Sequence, residues 1–360
     1  MILYLGLTVV TVAAAYFVNN KVTVQPYSVS RQQLCNRILT AGIFALLFAV
    51  SACRIAVGND YREYIEIFEN IHQNRHVSSE PGFNLVVRIV QYFLGVGQTS
   101  HLTIFAIFSF ATVYFFLHAI YDQSEWFIWS VFLWMAGGYY FSSLNTVRYY
   151  FVLSVALYAM RYAVKKQWLP FVLWIVFAAF FHKTVLFVIP VYWLAMRKWK
   201  TWHILPVAGF CVTFLVFQDI YRRIIFFFYP FYENSMFDTG RTSPINILKC
   251  LGVLVLSLLY YRHAIKDNRS AQFYFYLNLG ALLLYVFCSF IPEVSRIGYY
   301  LNVTNIFLIP TVLKAIPDKK QKIFFSSVTA LAFSLYLLMF LLRSYDVSIR
   351  LLPYRSWIFN

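Results

Sequence analysis

The sequence predicts an all-α integral membrane protein, and three observations lead to this: its composition, the lengths of its apolar blocks and the placement of its basic residues. Of the 360 residues, 61% are hydrophobic and 12% are charged. A soluble domain carries about twice that charge, roughly 25% of its residues. The apolar blocks approach the roughly 20 residues that a helix needs to cross a hydrocarbon core. We therefore expect a polytopic bundle of about twelve membrane helices, some of them short or broken.

Most of the apolar blocks predict single spans, at 2–18, 38–53, 102–120, 126–142, 149–164, 203–218, 245–261, 271–291, 297–313 and 323–342. The first block lacks a basic n-region, so it is expected to be a helix rather than a cleaved signal peptide. The stretch 168–196 is too long for one span and too short for two ordinary ones, and His182 and Lys183 lie at its middle. It predicts two short helices that meet at those residues. Since no linker or repeat divides the chain, residues 1–360 are expected to form one polytopic domain.

The distribution of Lys and Arg predicts the orientation of this bundle. If the N-terminus is outside, the inner connections hold sixteen of the thirty basic residues and four of the fourteen acids. Short, basic connections are typical of the cytoplasmic side. The net charge of +16 is therefore mostly explained by the orientation of the chain in the membrane, and no nucleic-acid partner is expected. The five cysteines have neither metal-ligand nor disulfide spacing, so no metal or cofactor is expected either.

The outer connection 54–101 carries two patterned segments. Residues 54–71 repeat apolar side chains at helical spacing, which predicts an amphipathic helix along the outer surface. Asp60 precedes that helix and could cap it or pair with Arg54, or could recognise a substrate hydroxyl. Residues 78–92 place a Pro-Gly turn before a short apolar segment, which favours a re-entrant helix with Glu80 at the lip of a cavity. The amphipathic and re-entrant part is expected around 60–95.

Further ionisable residues lie at the predicted outer ends of membrane helices, in NTVRYYF, FHKT and PEVSRIGYY. These segments contain Arg148, His182 and Arg296. Any one of these residues taken alone is more often structural, since an arginine at an interface can extend to the lipid headgroups. Together with Arg54 and Arg241 they exceed what the positive-inside rule predicts for this face. A guanidinium binds phosphate oxygens with two parallel hydrogen bonds, so this set suits a phosphate or diphosphate ligand.

Five blocks, taken in order from about Arg54 to about Tyr300, resemble the EpsG family of Wzy-like polysaccharide polymerases. They are R-x-x-x-G-x-D-Y-x-x-Y, E-P-G-F, N-x-x-R, H-K-T and S-R-I-x-Y-Y. The closing PYRSWIF also resembles the family's ending. The resemblance implies an enzyme of the bacterial cytoplasmic (inner) membrane with its active site on the periplasmic or extracellular side. Its donor and acceptor would be polyprenyl-diphosphate-linked oligosaccharides, as in O-antigen, capsule or exopolysaccharide synthesis. A chain-length regulator and a flippase of the same pathway would be its partners.

The same resemblance implies residue roles. Arg148 and Arg296 would neutralise the diphosphate leaving group, and His182 would be the base or position the acceptor, with Asp60 and Glu80 as rival bases. The frequent Gln after the family's first arginine is Tyr149 here, which puts contacts at that position in doubt. The expected substrate-binding residues are Arg54, Asp60, Tyr64, Glu80, Tyr149, Lys183, Arg241, Tyr299 and Tyr300.

Other functions fit parts of the pattern. A flippase or transporter for the lipid-linked sugar would have ionisable groups through the depth of the bundle, whereas here polar groups crowd one face. A glycosyltransferase that uses a polyprenyl-phosphate sugar is kept open by Asp60 and Glu80. An O-acyltransferase with a membrane histidine is the weakest alternative, because no partner motif accompanies His182.

Overall fold

The computed structural model describes residues 1–22, 30–197, 199–228, 230, 233, 244–292 and 294–358, and in these residues it contains helices and no strand. The chain packs as two compact units, which are described separately. Unit 1 comprises Met1–Tyr162, Gln167–Leu186 and Ile316–Asn360, and unit 2 comprises Ala163–Lys166 and Phe187–Ala315.

Unit 1 contains the first nine α-helices and the last one. They are α1 (Ile2–Tyr16), α2 (Arg31–Ala52), α3 (Tyr61–His72), α4 (Pro81–Leu94), α5 (Gln98–Gln123), α6 (Phe127–Ala136), α7 (Tyr139–Ser143), α8 (Val147–Val164), α9 (Trp168–Ala179) and α18 (Lys319–Arg343). A 3₁₀ helix, Lys183–Phe187, follows α9.

Unit 2 contains the remaining helices. They are α10 (Val188–Ala195), α11 (Ile204–Val216), α12 (Gln218–Phe228), α13 (Pro244–Leu259), α14 (Tyr261–Ala264), α15 (Arg269–Phe287), α16 (Val294–Asn302) and α17 (Asn305–Ala315). A short 3₁₀ helix, Thr201–His203, precedes α11.

In the described residues four helices, α2, α5, α15 and α18, are long and apolar enough to cross a membrane. This agrees with a membrane protein, while the total of about twelve spans remains a prediction. Two predicted spans are interrupted. The block 126–142 breaks at Gly138, whose φ of +80° ends one helix and begins the next. The block 297–313 breaks between α16 and α17, so both predictions of one continuous helix were wrong.

The predicted break at His182 and Lys183 is confirmed. Helix α9 ends at Ala179, and the chain continues into the 3₁₀ helix from Lys183 and then into α10. The two α-helices have 12 and 8 residues. At 1.5 Å per residue, neither reaches the roughly 30 Å of a hydrocarbon core. The ionisable residues therefore lie where the helical backbone is interrupted.

The predicted amphipathic helix and the short apolar helix after it also form. Helix α3 buries Tyr64, Phe68 and Ile71, and the Gln91 side chain of α4 donates a 2.9 Å hydrogen bond to the Phe68 carbonyl. The Phe83 ring, near the start of α4, lies 5.2 Å from Phe108 of α5. Because Phe108 follows the first residue of α5 by ten positions, the N-terminus of α4 lies about 15 Å along α5 from that helix's start. This places Glu80 far from the turn that joins α4 to α5.

The C-terminal segment packs against the turn that follows α2. Backbone hydrogen bonds join Ile55 to the Arg355 carbonyl at 3.0 Å and Trp357 to the Cys53 carbonyl at 3.1 Å. Arg54 and Ser356 form an isolated antiparallel bridge between them. The end of the chain thus fixes the turn from which α3 begins.

Buried amides connect the helices of unit 2. Asn278 of α15 donates to the Cys250 carbonyl of α13 at 2.9 Å, and Asn305 of α17 donates to Asn278 at 2.8 Å. Asn302 of α16 donates to the Tyr285 hydroxyl of α15 at 3.0 Å. Hydrogen bonds of this kind hold helices together where lipid supplies no hydrophobic driving force.

The contact between α15 and α16 predicts the effect of a single methyl group. A Cβ at Gly298 would overlap the ring and the hydroxyl group of Tyr285, so G298A is expected to destabilise the protein by about 1–3 kcal/mol through overpacking. Thermal unfolding of the purified protein measures this. G298A should cost less in a Y285L background than in the wild type, and G252A, with open space around its Cβ, is the control. Equal melting temperatures for G298A and G252A would contradict the proposed packing.

Candidate functional site

The turn after α2 is joined to the start of α8 by short polar contacts. The Asp60 backbone N–H donates to the Asn145 side chain at 2.9 Å, and the Thr146 hydroxyl donates to the Asp60 carboxylate at 3.1 Å. A Cβ at Gly58, where φ is +97°, would lie 2.8 Å from the Asn145 side-chain oxygen, so only glycine fits here. Asp60 is the residue before α3, but its side chain does not cap the helix, so one of the three roles considered for it is wrong. Its carboxylate instead holds the turn before α8.

Arg54 lies inside unit 1, with 0% of its surface exposed. It donates to the Ser51 carbonyl, to Ser109 at 3.0 Å and to the Leu144 carbonyl at 3.2 Å. Its guanidinium packs over the Phe105 ring at 5.1 Å. The predicted ion pair with Asp60 is therefore replaced by contacts with neutral groups. Arg54 connects α2, α5 and the turn before α8 at a position that solvent does not reach.

Arg148 is oriented by α3. The Tyr64 hydroxyl accepts a 3.2 Å hydrogen bond from the Arg148 backbone N–H, which satisfies a donor in the first turn of α8. The guanidinium lies 5.9 Å from the Tyr64 ring centroid and 5.2 Å from that of Phe83. Two aromatic faces thus hold the cation through cation–π contacts. The Arg148 side chain extends between them to Glu80.

Glu80 is brought to this point by a close approach between α4 and the end of α9. The Gly82 N–H donates to the Phe180 carbonyl at 2.8 Å. A Cβ at Gly82 would lie 2.8 Å from that oxygen and 2.9 Å from the Phe180 Cβ, so no larger residue fits without a backbone shift. Pro81 begins α4 at its first helical position, where a missing N–H costs nothing. The E-P-G-F motif therefore places Glu80 beside the H-K-T motif.

Glu80 joins Arg148 and His182. Its Oε2 lies 2.8 Å from Arg148 Nη1, and its Oε1 lies 3.3 Å from His182 Nδ1. All three side chains are largely buried, with 13%, 22% and 19% exposed for Glu80, Arg148 and His182. Three distant parts of the sequence thus contribute to one cluster, which we call the Glu80 cluster.

The charges in the Glu80 cluster are arranged to keep Glu80 ionised. Burial by itself raises the pKa of this carboxyl, but the adjacent His182 ring and the Arg148 guanidinium lower it by more, so its pKa lies below the ordinary range. Arg148 also has a buried Nε–H that lacks a hydrogen-bond partner among the described residues. The guanidinium therefore has a donor available for a second anion.

Other predicted residues surround the Glu80 cluster. The Tyr149 ring packs edge-on to His182 at 5.8 Å and is almost fully buried. The Lys183 backbone N–H lies 3.3 Å from Glu80 Oε1, while its side chain is exposed. Both contacts restrict the position of the His182 ring or of the carboxylate.

The remaining predicted residues belong to unit 2 or lie outside the described residues. Arg296 and Tyr299 are half-buried on α16. Tyr300 is fully buried, and its carbonyl accepts a 2.8 Å hydrogen bond from the Tyr192 hydroxyl, so it is part of the core of unit 2. Arg241 lies outside the described residues.

Sequence reasoning missed Lys249. It lies inside the apolar helix α13. The signal that could have found it is a single lysine within the predicted span 245–261, because ionisable residues inside membrane helices are rare and functional. Within the described part of the chain, no three His, Cys, Asp or Glu side chains are grouped so that they could hold a metal ion.

The fold and the Glu80 cluster define a helical membrane protein in which ionisable groups gather at interrupted helix ends. Residues 37–356 match the model of the EpsG family, and the chain belongs to this family of Wzy-like polysaccharide polymerases. The match covers most of the chain, including every residue of the Glu80 cluster. No curated protein and no solved structure matches the chain.

The close approach at Gly82 gives a second prediction. G82A should push α4 away from Phe180, separate Glu80 from His182 and destabilise the protein by about 1–3 kcal/mol. Thermal unfolding measures the loss. G42A is the matched control, because a Cβ at Gly42 meets open space. If G82A and G42A unfolded alike, the contact would not position Glu80.

The lowered pKa of Glu80 gives a third prediction. A carboxyl whose pKa is lower in the folded state stabilises the protein above the pKa of the unfolded group, about 4.3, and loses that contribution as the pH falls through the folded value. The melting temperature of E80Q should therefore lie below that of the wild type at neutral pH, and the two should converge in acid. E63Q, on the polar face of α3, is the control. A difference that grows in acid would contradict the assigned charges.

Proposed function

We propose that this chain joins oligosaccharide repeat units carried on polyprenyl diphosphate, on the outer face of the bacterial cytoplasmic membrane, without a metal ion. The observation that carries the proposal is the Glu80 cluster, which combines an arginine with an available donor and an oriented histidine in a member of the EpsG family. Such a cluster has the chemistry that a diphosphate leaving group and a sugar hydroxyl require.

The reaction transfers a glycosyl group. The acceptor hydroxyl oxygen attacks the anomeric carbon of the donor, the bond from that carbon to the diphosphate oxygen breaks, and the diphosphate leaves with the electron pair. The hydroxyl proton passes to a base of the protein. Fixed positive charge lowers the barrier, because it stabilises the charge that develops on the diphosphate in a poorly hydrated site.

Arg148 is the proposed contact for the leaving diphosphate in unit 1. Its Nη1 lies 2.8 Å from the Glu80 carboxylate. Its buried Nε–H belongs to the same planar guanidinium, so fixing Nη1 also fixes the direction of this donor. A guanidinium stays charged at any physiological pH, so it can stabilise the diphosphate throughout the reaction. Arg296 is proposed to act in the same way in unit 2.

His182 is the proposed base, and Glu80 its positioning residue. The Glu80 carboxylate lies 3.3 Å from Nδ1, and a proton on that nitrogen would leave Nε2 as the basic atom. Glu80 also neutralises Arg148, so its low pKa makes it a poor acceptor for the hydroxyl proton. Asp60 accepts a hydrogen bond from Thr146 in the turn before α8 and is assigned a structural role.

Cells that lack the gene provide the first test. We expect single lipid-linked repeat units to persist on the outer side while the polymer ladder disappears from a gel of surface glycans. Complementation with R148A or H182A should restore little polymer, since a fixed cation and a general base each contribute about 10²-fold or more to rate. R88A and H76A, whose side chains are exposed, should complement fully.

Two other outcomes would reject the proposed function, and a third would reject the role of His182. Repeat units that accumulate on the cytoplasmic side would indicate a flippase, and units that never form would indicate an earlier glycosyltransferase. Full complementation by H182A would remove the histidine from the mechanism.

A further inference from the structure

Glu80 immediately precedes α4, but its carboxylate does not cap that helix. A side chain at this position commonly accepts a hydrogen bond from a backbone N–H of the first turn, and Glu80 makes no such bond. Two of the first-turn positions need no cap. Pro81 has no N–H, and the Gly82 N–H donates to the Phe180 carbonyl at 2.8 Å. The Glu80 carboxylate is therefore available to the two other members of the Glu80 cluster.

Two neighbouring polar side chains close a small ring around Glu80. The Ser79 hydroxyl donates to the Asn84 side-chain oxygen at 2.5 Å, and the Asn84 Nδ2 donates back to the Ser79 carbonyl at 3.2 Å. The Asn84 backbone N–H also donates to the Glu80 carbonyl at 3.1 Å. We call these two residues the Ser79–Asn84 pair. Its hydrogen bonds connect the residue before Glu80 to the first turn of α4.

The second of these bonds fixes the direction from which the chain enters Glu80. A peptide group is planar, so holding the Ser79 carbonyl also holds the plane that ends at the Glu80 nitrogen. Glu80 itself is extended, with φ of −72° and ψ of 154°. With both neighbouring peptide groups hydrogen-bonded to Asn84, the Cα–Cβ bond of Glu80 has one direction, and its side chain starts from a fixed point.

The position of that starting point decides whether the Glu80 cluster forms. Glu80 Oε2 lies 2.8 Å from Arg148 Nη1, and Oε1 lies 3.3 Å from His182 Nδ1. A displacement of about 1 Å would take either contact beyond hydrogen-bond distance. In the described part of the chain, the hydrogen bonds of the Ser79 and Asn84 side chains stay within residues 79–84. The pair therefore affects the cluster only through Glu80.

We propose that Asn84, together with Ser79, is a positioning residue that aims the Glu80 carboxylate at Arg148 and His182. The functional unit is then longer than E-P-G-F and comprises S-E-P-G-F-N, residues 79–84. The role of this pair deepens the proposed function and, for its effect on catalysis, rests on it.

A double-mutant cycle with E80Q tests the positioning by thermal unfolding of the full-length protein at neutral pH. N84L removes both side-chain hydrogen bonds and S79A removes one, while S78A, at an exposed neighbouring serine, is the matched control. E80Q should lower the melting temperature by less in the N84L background than in the wild type, because a displaced carboxylate has fewer contacts to lose. Additive losses would show that Asn84 only stabilises α4, and would overturn the proposal.

The pH dependence of the same melting temperatures gives a readout that a purely structural role would not change. The carboxyl of Glu80 has a lowered pKa beside His182 and Arg148, so its contribution is present above the pKa of the unfolded group and is lost as the pH falls through the folded value. The deficit of N84L against the wild type should therefore shrink in acid. A deficit that is the same at every pH would contradict the proposal. S79A supplies the comparison if N84L does not fold.

Kinetics connect the pair to catalysis. In a polymerising system, N84L should lower kcat by about tenfold or more and change the donor KM less, since misplaced groups slow the step after binding. In an E80Q background, N84L should lower kcat no further, and S78A should keep the wild-type rate. Wild-type kcat in both N84L and S79A, with E80Q impaired, would overturn the positioning role and leave the proposed function intact.

The two conclusions can fail separately. If gene deletion caused no loss of polymer, the proposed function would fall, whereas unequal losses from E80Q in the two backgrounds would still establish that Asn84 positions Glu80. Additive losses in an active polymerase would reject the positioning role alone.

Discussion

The Glu80 carboxylate determines how unit 1 arranges its ionisable groups. A buried arginine and a histidine close together would repel each other whenever both were charged, and each would be costly to remove from water. Glu80 lies 2.8 Å from Arg148 and 3.3 Å from His182, so one negative charge neutralises the arginine and lies beside the histidine. The hydrogen bonds and glycine contacts around it serve to hold that carboxylate where α4, α8 and α9 meet.

Two close backbone approaches make this meeting possible. Gly82 allows α4 to contact the end of α9, and Gly58 allows the turn after α2 to contact the residues before α8. Arg54 and the C-terminal segment then fix that turn from the opposite side. The motifs that resemble the EpsG family therefore have two kinds of role. R-x-x-x-G-x-D forms the turn after α2, and E-P-G-F and H-K-T place Glu80 beside His182.

The sequence was sufficient for the elements whose signal is local. Periodicity predicted α3, and two ionisable residues in an apolar run predicted the break at His182, because charged side chains are costly in the middle of an apolar membrane helix. Sequence reasoning failed where one local pattern was compatible with more than one structure. Gly138 was read as part of one continuous span. Asp60 was left between a helix cap, a partner of Arg54 and a substrate contact, whereas its carboxylate hydrogen-bonds to Thr146.

By itself the sequence determined the class of protein, the family and the residues that carry charge into apolar surroundings, because hydropathy and residue order are properties of the chain. Which charges are partners was decided only by the tertiary structure. Glu80, Arg148 and His182 are separated by 68 and 34 positions. Contacts at such separations depend on how the helices pack, and no local propensity encodes them.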